Sequence, residues 1–234
     1  MSVCMKHPME LSNSAPVVFV QYLAAIAIVE GIQNYDRGYK DVPVKLKWPN
    51  DICKSDTREL ETSRLTGADA QDPSKPGKKE YVKIGGILVN SSYSAGSYDL
   101  VVGIGLNTTN AAPTTSLNAL LSTPAFSSLA PFTLEKLLAR ILTKFETIYK
   151  RFLRTGFDHR LEETYYKNWL HTDQIVTLEA EGGVRARIKG ITTNWGLLKA
   201  EELGWEDRPT GKIWELQSDS NSFDFFRGLL KRKV

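Results

Sequence analysis

Cysteine is scarce in this chain of 234 residues, which holds only Cys4 and Cys53. Two thiols so far apart in sequence make neither a disulfide framework nor a zinc site, and they suit a reducing compartment. Histidine is scarce as well. His7, His159 and His171 show no metal-ligand spacing and no serine or cysteine partner in a nucleophile elbow, so no covalent catalyst is read from them. No stretch reaches the roughly 18 consecutive apolar residues of a membrane span. The start, Met1 to Pro8, lacks the architecture of a signal peptide, which makes the cytoplasm the expected location. Nor is there a strong excess of one charge. A net charge of +3, partly the terminal Lys231-Arg232-Lys233, gives no case for nucleic acid as a partner, and nothing calls for a membrane.

What is present is a globular composition. With 41% hydrophobic residues the chain can bury a substantial core, as one large domain or as a domain plus a small module. Val3 to Met5 predicts a strand. Ser12 or Ser14 is placed to cap a helix that has Pro16 in its first turn. Its apolar residues Val17, Val20, Leu23, Ala24, Ala27 and Ile28 recur at helical spacing, and Gly31 or Gly38 marks its end. Thr133 is expected to cap a second helix, with Leu134, Leu137, Leu138, Ile141, Leu142, Phe145, Ile148 and Phe152 as its buried stripe and Gly156 as its stop. A third, over about Asp158 to Leu170, puts Leu161, Tyr165 and Trp169 on one face. From Thr172 the period turns from helical to alternating, and short antiparallel strands separated by tight turns predict a small barrel. The fold class is therefore α+β, divided at residues 1–171 and 172–234.

Chemistry concentrates between Val44 and Asn107. Val44, Leu46 and Trp48 alternate with Lys45 and Lys47, so a half-buried strand delivers the lysines to one face before Pro49-Asn50-Asp51 turns the chain. Lys54 to Lys79 is rich in Ser, Thr, Asp, Glu, Lys, Gly and Pro and reads as a mobile insertion, over about 54–80. Two strands follow, Val82 to Asn90 and Tyr98 to Gly105, joined in a hairpin at Ser94 to Ser97. Lys83 stands beside Gly85-Gly86, where absent side chains would let a flat ligand lie close to the backbone. In isolation, each feature has a plainer reading: good turn residues, and a solvated strand lysine. Gly103-Ile104-Gly105 is no dinucleotide fingerprint, because position 108 is threonine and no helix follows directly.

Together, Lys47-Trp48-Pro49-Asn50-Asp51, Lys83-Ile84-Gly85-Gly86-Ile87-Leu88 and Gly103-Ile104-Gly105-Leu106-Asn107 resemble, in order, the signature of the biotin protein ligases (holocarboxylase synthetases). Trp169 to Val176, Gly190-Ile191, Gly196 to Leu198 and Asn221 to Phe226 resemble the C-terminal part of the large eukaryotic, especially fungal, members. The resemblance implies a class II synthetase-like catalytic domain of mixed sheet and helices, with a Src-homology-3-like C-terminal barrel that either meets the acceptor or the nucleotide or is a passive stabilising module. It implies ATP, biotin and Mg²⁺, and biotin-acceptor domains of carboxylases as partners. Biotin would be adenylated, then passed to an acceptor lysine.

By the same resemblance, Lys83 bridges the biotin carboxylate and the α-phosphate, and Asp51 orients the acceptor amine or supplies an oxygen to Mg²⁺. Lys47, Trp48, Asn50, Gly85, Gly86, Leu88, Gly103, Gly105 and Asn107 line the biotin and adenylate site, Trp48 more as an anchor of the turn than as an adenine platform. One departure stands out. The Ser/Thr-Gln segment and Gly-Arg-rich loop that precede this region in the family have no counterpart in the 234 residues. The chain therefore reads as the C-terminal part of a longer enzyme, with the parent reaction impaired or absent. A lipoate-type acyl transferase and a non-catalytic binding remnant stay open as alternatives.

Overall fold

The strand periods seen in the sequence give two sheets. In the computed structural model, which describes residues 1–55, 81–110, 115–218, 221–224 and 228–232, the first sheet holds β1 (Ser2–Pro8), β2 (Val44–Lys47), β3 (Asp51–Ser55), β4 (Tyr81–Ser94) and β5 (Ser97–Leu106). Their spatial order is β1-β5-β4-β3-β2, and every neighbouring pair is antiparallel. Lys54 and Ser55, expected in the insertion, belong to β3, and Lys54 is buried. The rest of the expected insertion, 56–80, lies outside the described residues.

Val44, Leu46, Ile52, Ile84, Ile87, Val102 and Ile104 turn inward onto α1 (Val20–Gln33). That helix is buried almost all round, as its composition requires. Its start differs from expectation. A 3₁₀ turn at Val17–Phe19 precedes it, no side chain caps it, and the Ser14 hydroxyl donates instead to the Leu11 carbonyl. Gly31 lies within the helix rather than ending it, and glycine suits the position because a Cβ there would come within 2.7 Å of Ile141 Cγ1 on the neighbouring helix.

That neighbour, α3 (Leu134–Thr155), follows the short α2 (Leu117–Leu121). It stops at Gly156, whose φ of 66° is left-handed. Leu137, Ile141, Phe145, Ile148 and Phe152 are buried, whereas Leu134, Leu138 and Leu142 are exposed. The stripe is narrower than expected because α3 meets α1 along one side. The next helix, α4 (His159–Asn168), has Asp158 as its N-cap, with Oδ1 accepting from the Leu161 amide. Trp169 falls just beyond its end, and Leu170 donates to the Leu46 carbonyl at the edge of β2.

The second sheet is built from β6 (Ile175–Leu178), β7 (Val184–Ile191), β8 (Leu198–Leu203), β9 (Pro209–Leu216), β10 (Asn221–Asp224) and β11 (Leu229–Arg232). The order is β10-β11-β6-β7-β8-β9, with β11 parallel to β6 and the other pairs antiparallel. Among the described residues no pairing joins β10 to β9, so these contacts describe a sheet with two edges. The buried apolar residues of both parts form one continuous cluster. Among the described residues, no helix is long and apolar enough to cross a membrane.

Candidate functional site

Register brings the three motifs together. Lys47 pairs with Asp51, Asp51 with Gly86 and Gly86 with Gly105, so four strands contribute one row across the sheet. Direct cross-strand partners project to the same face. Because Leu46, Ile52, Ile87 and Ile104 fill the inner face, this row lies on the outer one. The next row holds Leu88, which is 62% exposed, opposite Gly103.

Lys83 joins the row through an irregularity. Strict alternation would put it on the face of Gly85 and Ile87, pointing inward. Between Ile52 and Cys53 the register of β3 on β4 shifts, from Ile52 opposite Gly85 to Cys53 opposite Lys83, leaving an extra residue in β4. The bulge turns Lys83 onto the face of Gly86, where a Cβ on Gly86 would lie 3.5 Å from Lys83 Nζ. Both Ile84 and Ile87 are consequently buried although three residues apart.

Charge is arranged unevenly on this face. Asp51 Oδ1 lies 2.5 Å from Lys83 Nζ, and Oδ2 lies 3.4 Å from Lys47 Nζ. The Asp51 side chain is 16% exposed and that of Lys83 60%. A recessed carboxylate thus holds an ammonium that faces outward over glycine. One negative charge between two positive ones leaves the row net cationic, which suits a carboxylate and a phosphate brought together.

Supporting contacts fix the turn. The Asn50 amide nitrogen donates to the Ile87 carbonyl at 2.7 Å, and the Ile87 amide donates back to the Asn50 carbonyl at 3.0 Å. What Asn50 retains for a ligand is its Oδ1. Trp48, 1% exposed, has no ring surface to offer a ligand, which corrects its place among the lining residues. Its indole N–H donates to the Tyr22 hydroxyl at 3.1 Å, and its amide donates to His171 Nε2 at 2.9 Å. Gly85 has a reason inside the sheet: a Cβ there would sit 2.6 Å from the Gly105 carbonyl oxygen. The surroundings of Gly103 and Gly105 are more open, the nearest atoms being backbone oxygens at 3.4 and 4.0 Å. Asn107, half-buried two residues beyond Gly105, donates its amide N–H to the Ile84 carbonyl and accepts from the Leu117 amide, so it ties the end of β5 to α2.

Sequence reading did not single out Tyr22 or the bulge. Ile84 and Ile87, both apolar but three residues apart, break period two, yet the two glycines between them carry no side chain to say where the chain changes face. Among the described residues no cluster of three or more His, Cys, Asp or Glu side chains is placed to hold a metal ion. Magnesium bound through phosphates asks for only one or two carboxylates, and Asp51 in the row meets that requirement. A groove of about 500 Å³ between α1 and α3, lined by Lys136, Arg140 and Lys144 among others, lies away from the row and contains none of its residues.

Comparison with known proteins agrees with the motif reading. A profile described as the Biotin/lipoate A/B protein ligase family matches residues 1–107. A biotin--protein ligase of Schizosaccharomyces pombe is 40% identical over 226 residues, covering 95% of this chain and 33% of that protein. A human biotin--protein ligase is 30% identical over 229 residues, covering 97% of this chain and 27% of that protein. The chain thus spans about a third or less of these two relatives. Among solved structures, biotin protein ligase from Aquifex aeolicus in complex with biotin and ATP superposes with a TM-score of 0.57 at 18% identity, covering 99% of this chain and 79% of that one. At that identity the likeness establishes the fold.

Proposed function

We propose that this chain, whose residues 1–107 match the Biotin/lipoate A/B protein ligase family and which is similar along nearly its whole length to biotin--protein ligases, carries the site for ATP-dependent attachment of biotin to protein lysine. The observation that carries this reading is the outer-face row, Lys47, Asp51, Gly86 and Gly105, with Lys83 turned into it by the bulge. ATP and biotin are the substrates in this reading, and biotin-acceptor domains of carboxylases are the partners it implies.

In the first step a biotin carboxylate oxygen bonds to the α-phosphorus of ATP while the bond to pyrophosphate breaks. Negative charge crowds at that phosphorus, and Lys83 is held by Asp51 where its ammonium can lie between carboxylate and phosphate. Gly86, Gly103 and Gly105 let the ligand approach the backbone, and the exposed Leu88 offers the biotin end an apolar contact. Lys47, on β2 beyond Asp51, stands ready to receive phosphate oxygens. The residues fit a magnesium ion carried on the nucleotide: Asp51 would supply its protein oxygen, and the ion would neutralise phosphate charge. In the second step an acceptor lysine amine attacks the carbonyl of the mixed anhydride and AMP leaves. Proximity supplies much of that acceleration, with Asp51 positioned to orient the amine. Residues 1–171 would form the catalytic domain and 172–234 the accessory one.

The test is the intact mass of a biotin-acceptor domain after incubation with the chain, Mg-ATP and either biotin or lipoate. Biotin added by the wild type and not by Lys83→Ala supports the assignment. Lipoate added in preference to biotin would move the chain to the other branch of the family, and equal activity of Lys83→Ala would remove Lys83 from the chemistry.

A further inference from the structure

The turn bearing Asn50 and Asp51 is anchored by residues more than a hundred positions later. The Trp48 amide donates to Nε2 of His171, and Nδ1 of the same ring lies 3.0 Å from Gln174 Oε1. A backbone amide can only donate, so Nε2 carries a lone pair, and the ring proton sits on Nδ1, donating to Gln174. His171 is fully buried and meets the Trp169 ring edge-on at 5.5 Å. The second grip on Trp48 also leads out of the first sheet. Its indole N–H reaches the Tyr22 hydroxyl, which donates to the Gly196 carbonyl at 2.6 Å. Trp48 is therefore held at amide and indole by groups tied to the strands after residue 172.

A buried polar ring costs folding free energy unless its hydrogen bonds are made, and the amide of buried Trp48 equally needs an acceptor. Here the ring fixes the backbone three residues before Asp51, and Asp51 in turn fixes Lys83 at 2.5 Å. We propose that His171 is a positioning residue for the adenylate-forming site, its neutral Nδ1–H ring holding the Trp48 amide and, through it, the turn that sets Asp51 and Lys83. His171, the last residue of the catalytic part, thereby links the turn to Gln174 of the C-terminal part. The reaction served rests on the ligase reading above, while the positioning of the turn stands on geometry alone.

His171→Gln offers a carbonyl oxygen to the Trp48 amide, and His171→Leu offers none. Three measurements on the full chain decide the matter. In ¹⁵N NMR of the wild type, His171 should show a protonated Nδ1 and an unprotonated Nε2. Amide exchange over Trp48 to Asp51 should quicken about tenfold in His171→Leu and stay near wild type in His171→Gln, with the rest of the sheet unchanged. Adenylate formation from biotin and Mg-ATP should lose about tenfold in kcat in the Leu variant with KM nearly unchanged, the Gln variant recovering most of it. A proton on Nε2, unaltered exchange in His171→Leu, or equal loss in both variants would overturn the proposal. Failure of the wild type to form any adenylate would count against the ligase reading, and the tautomer and exchange results would still decide whether His171 positions the turn. Should the Leu variant not fold, the tautomer and the Gln variant still decide it.

Discussion

Lys83 and Gly86 divide the work of the row, one supplying charge and the other room, and their substitutions should separate accordingly. Lys83 is largely exposed, so Lys83→Ala should leave thermal unfolding close to wild type while lowering the rate of adenylate formation by about 10²–10³-fold, the usual cost of removing one preorganised electrostatic contact. Comparing melting temperature with single-turnover rate checks both halves. The adjacent glycines offer a sharper contrast. A Cβ on Gly86 meets only ordinary contact distances, whereas one on Gly85 collides with the Gly105 carbonyl at 2.6 Å. Gly85→Ala should cost about 1–3 kcal/mol in denaturant unfolding. Gly86→Ala should fall within about 1 kcal/mol of wild type, yet weaken ligand binding by filling the face it shares with Lys83.

At the scale of elements, two features respond to solution conditions and to packing. Burial lowers the pKa of His171 to about 4, with nearby Lys47 adding to the effect and the Gln174 contact opposing it. Burial also lowers that of His7. A histidine whose folded pKa lies below its unfolded value of about 6.5 binds more protons when unfolded throughout that interval. The stability associated with neutral His171 is thus complete above about pH 6.5 and lost as the pH falls toward 4, at up to about 1.4 kcal/mol per pH unit. Urea unfolding at pH 7 and pH 5 should show the loss, and His171→Gln should flatten the slope. On α3, Ile141→Ala should cost about 2–4 kcal/mol, whereas Leu138→Lys should change stability by about 0.5 kcal/mol or less, because Leu138 is 40% exposed.

The same helix shows where sequence reading stops. Its period and its Gly156 stop were legible, but a heptad pattern does not say how much of the stripe a neighbour covers, and Leu134, Leu138 and Leu142 stayed outside. The hairpin at Ser94 to Ser97 and the strand into the Pro49 turn were equally legible, because local chemistry decides them. The bulge was not. It depends on Gly85 fitting under the Gly105 carbonyl, a contact between strands that no single-strand pattern encodes. For the same reason the row from Lys47 to Gly105 was visible as three motifs in order but not as one line across four strands. His171 could be classed as structural from its lack of partners in sequence, yet its bond to the Trp48 amide spans 123 positions and had no local signal.

Across the whole molecule, one continuous core joins the sheet that bears the row to the strands that follow residue 172. Tyr22, Trp48, His171 and Gly196 are the polar links within it. Such a core makes unfolding of the two parts cooperative, and a single urea transition by both far-UV circular dichroism and tryptophan fluorescence is the expected result. The central claim, that the outer-face row is where biotin is adenylated, is tested most directly by binding a non-hydrolysable biotinyl-adenylate analogue while following amide exchange. Protection over Lys83 to Leu88 and Gly103 to Asn107 is expected, with affinity falling at least tenfold in Lys83→Ala and in Gly86→Val. Protection confined to the α1–α3 groove, or equal affinity in both variants, would contradict it.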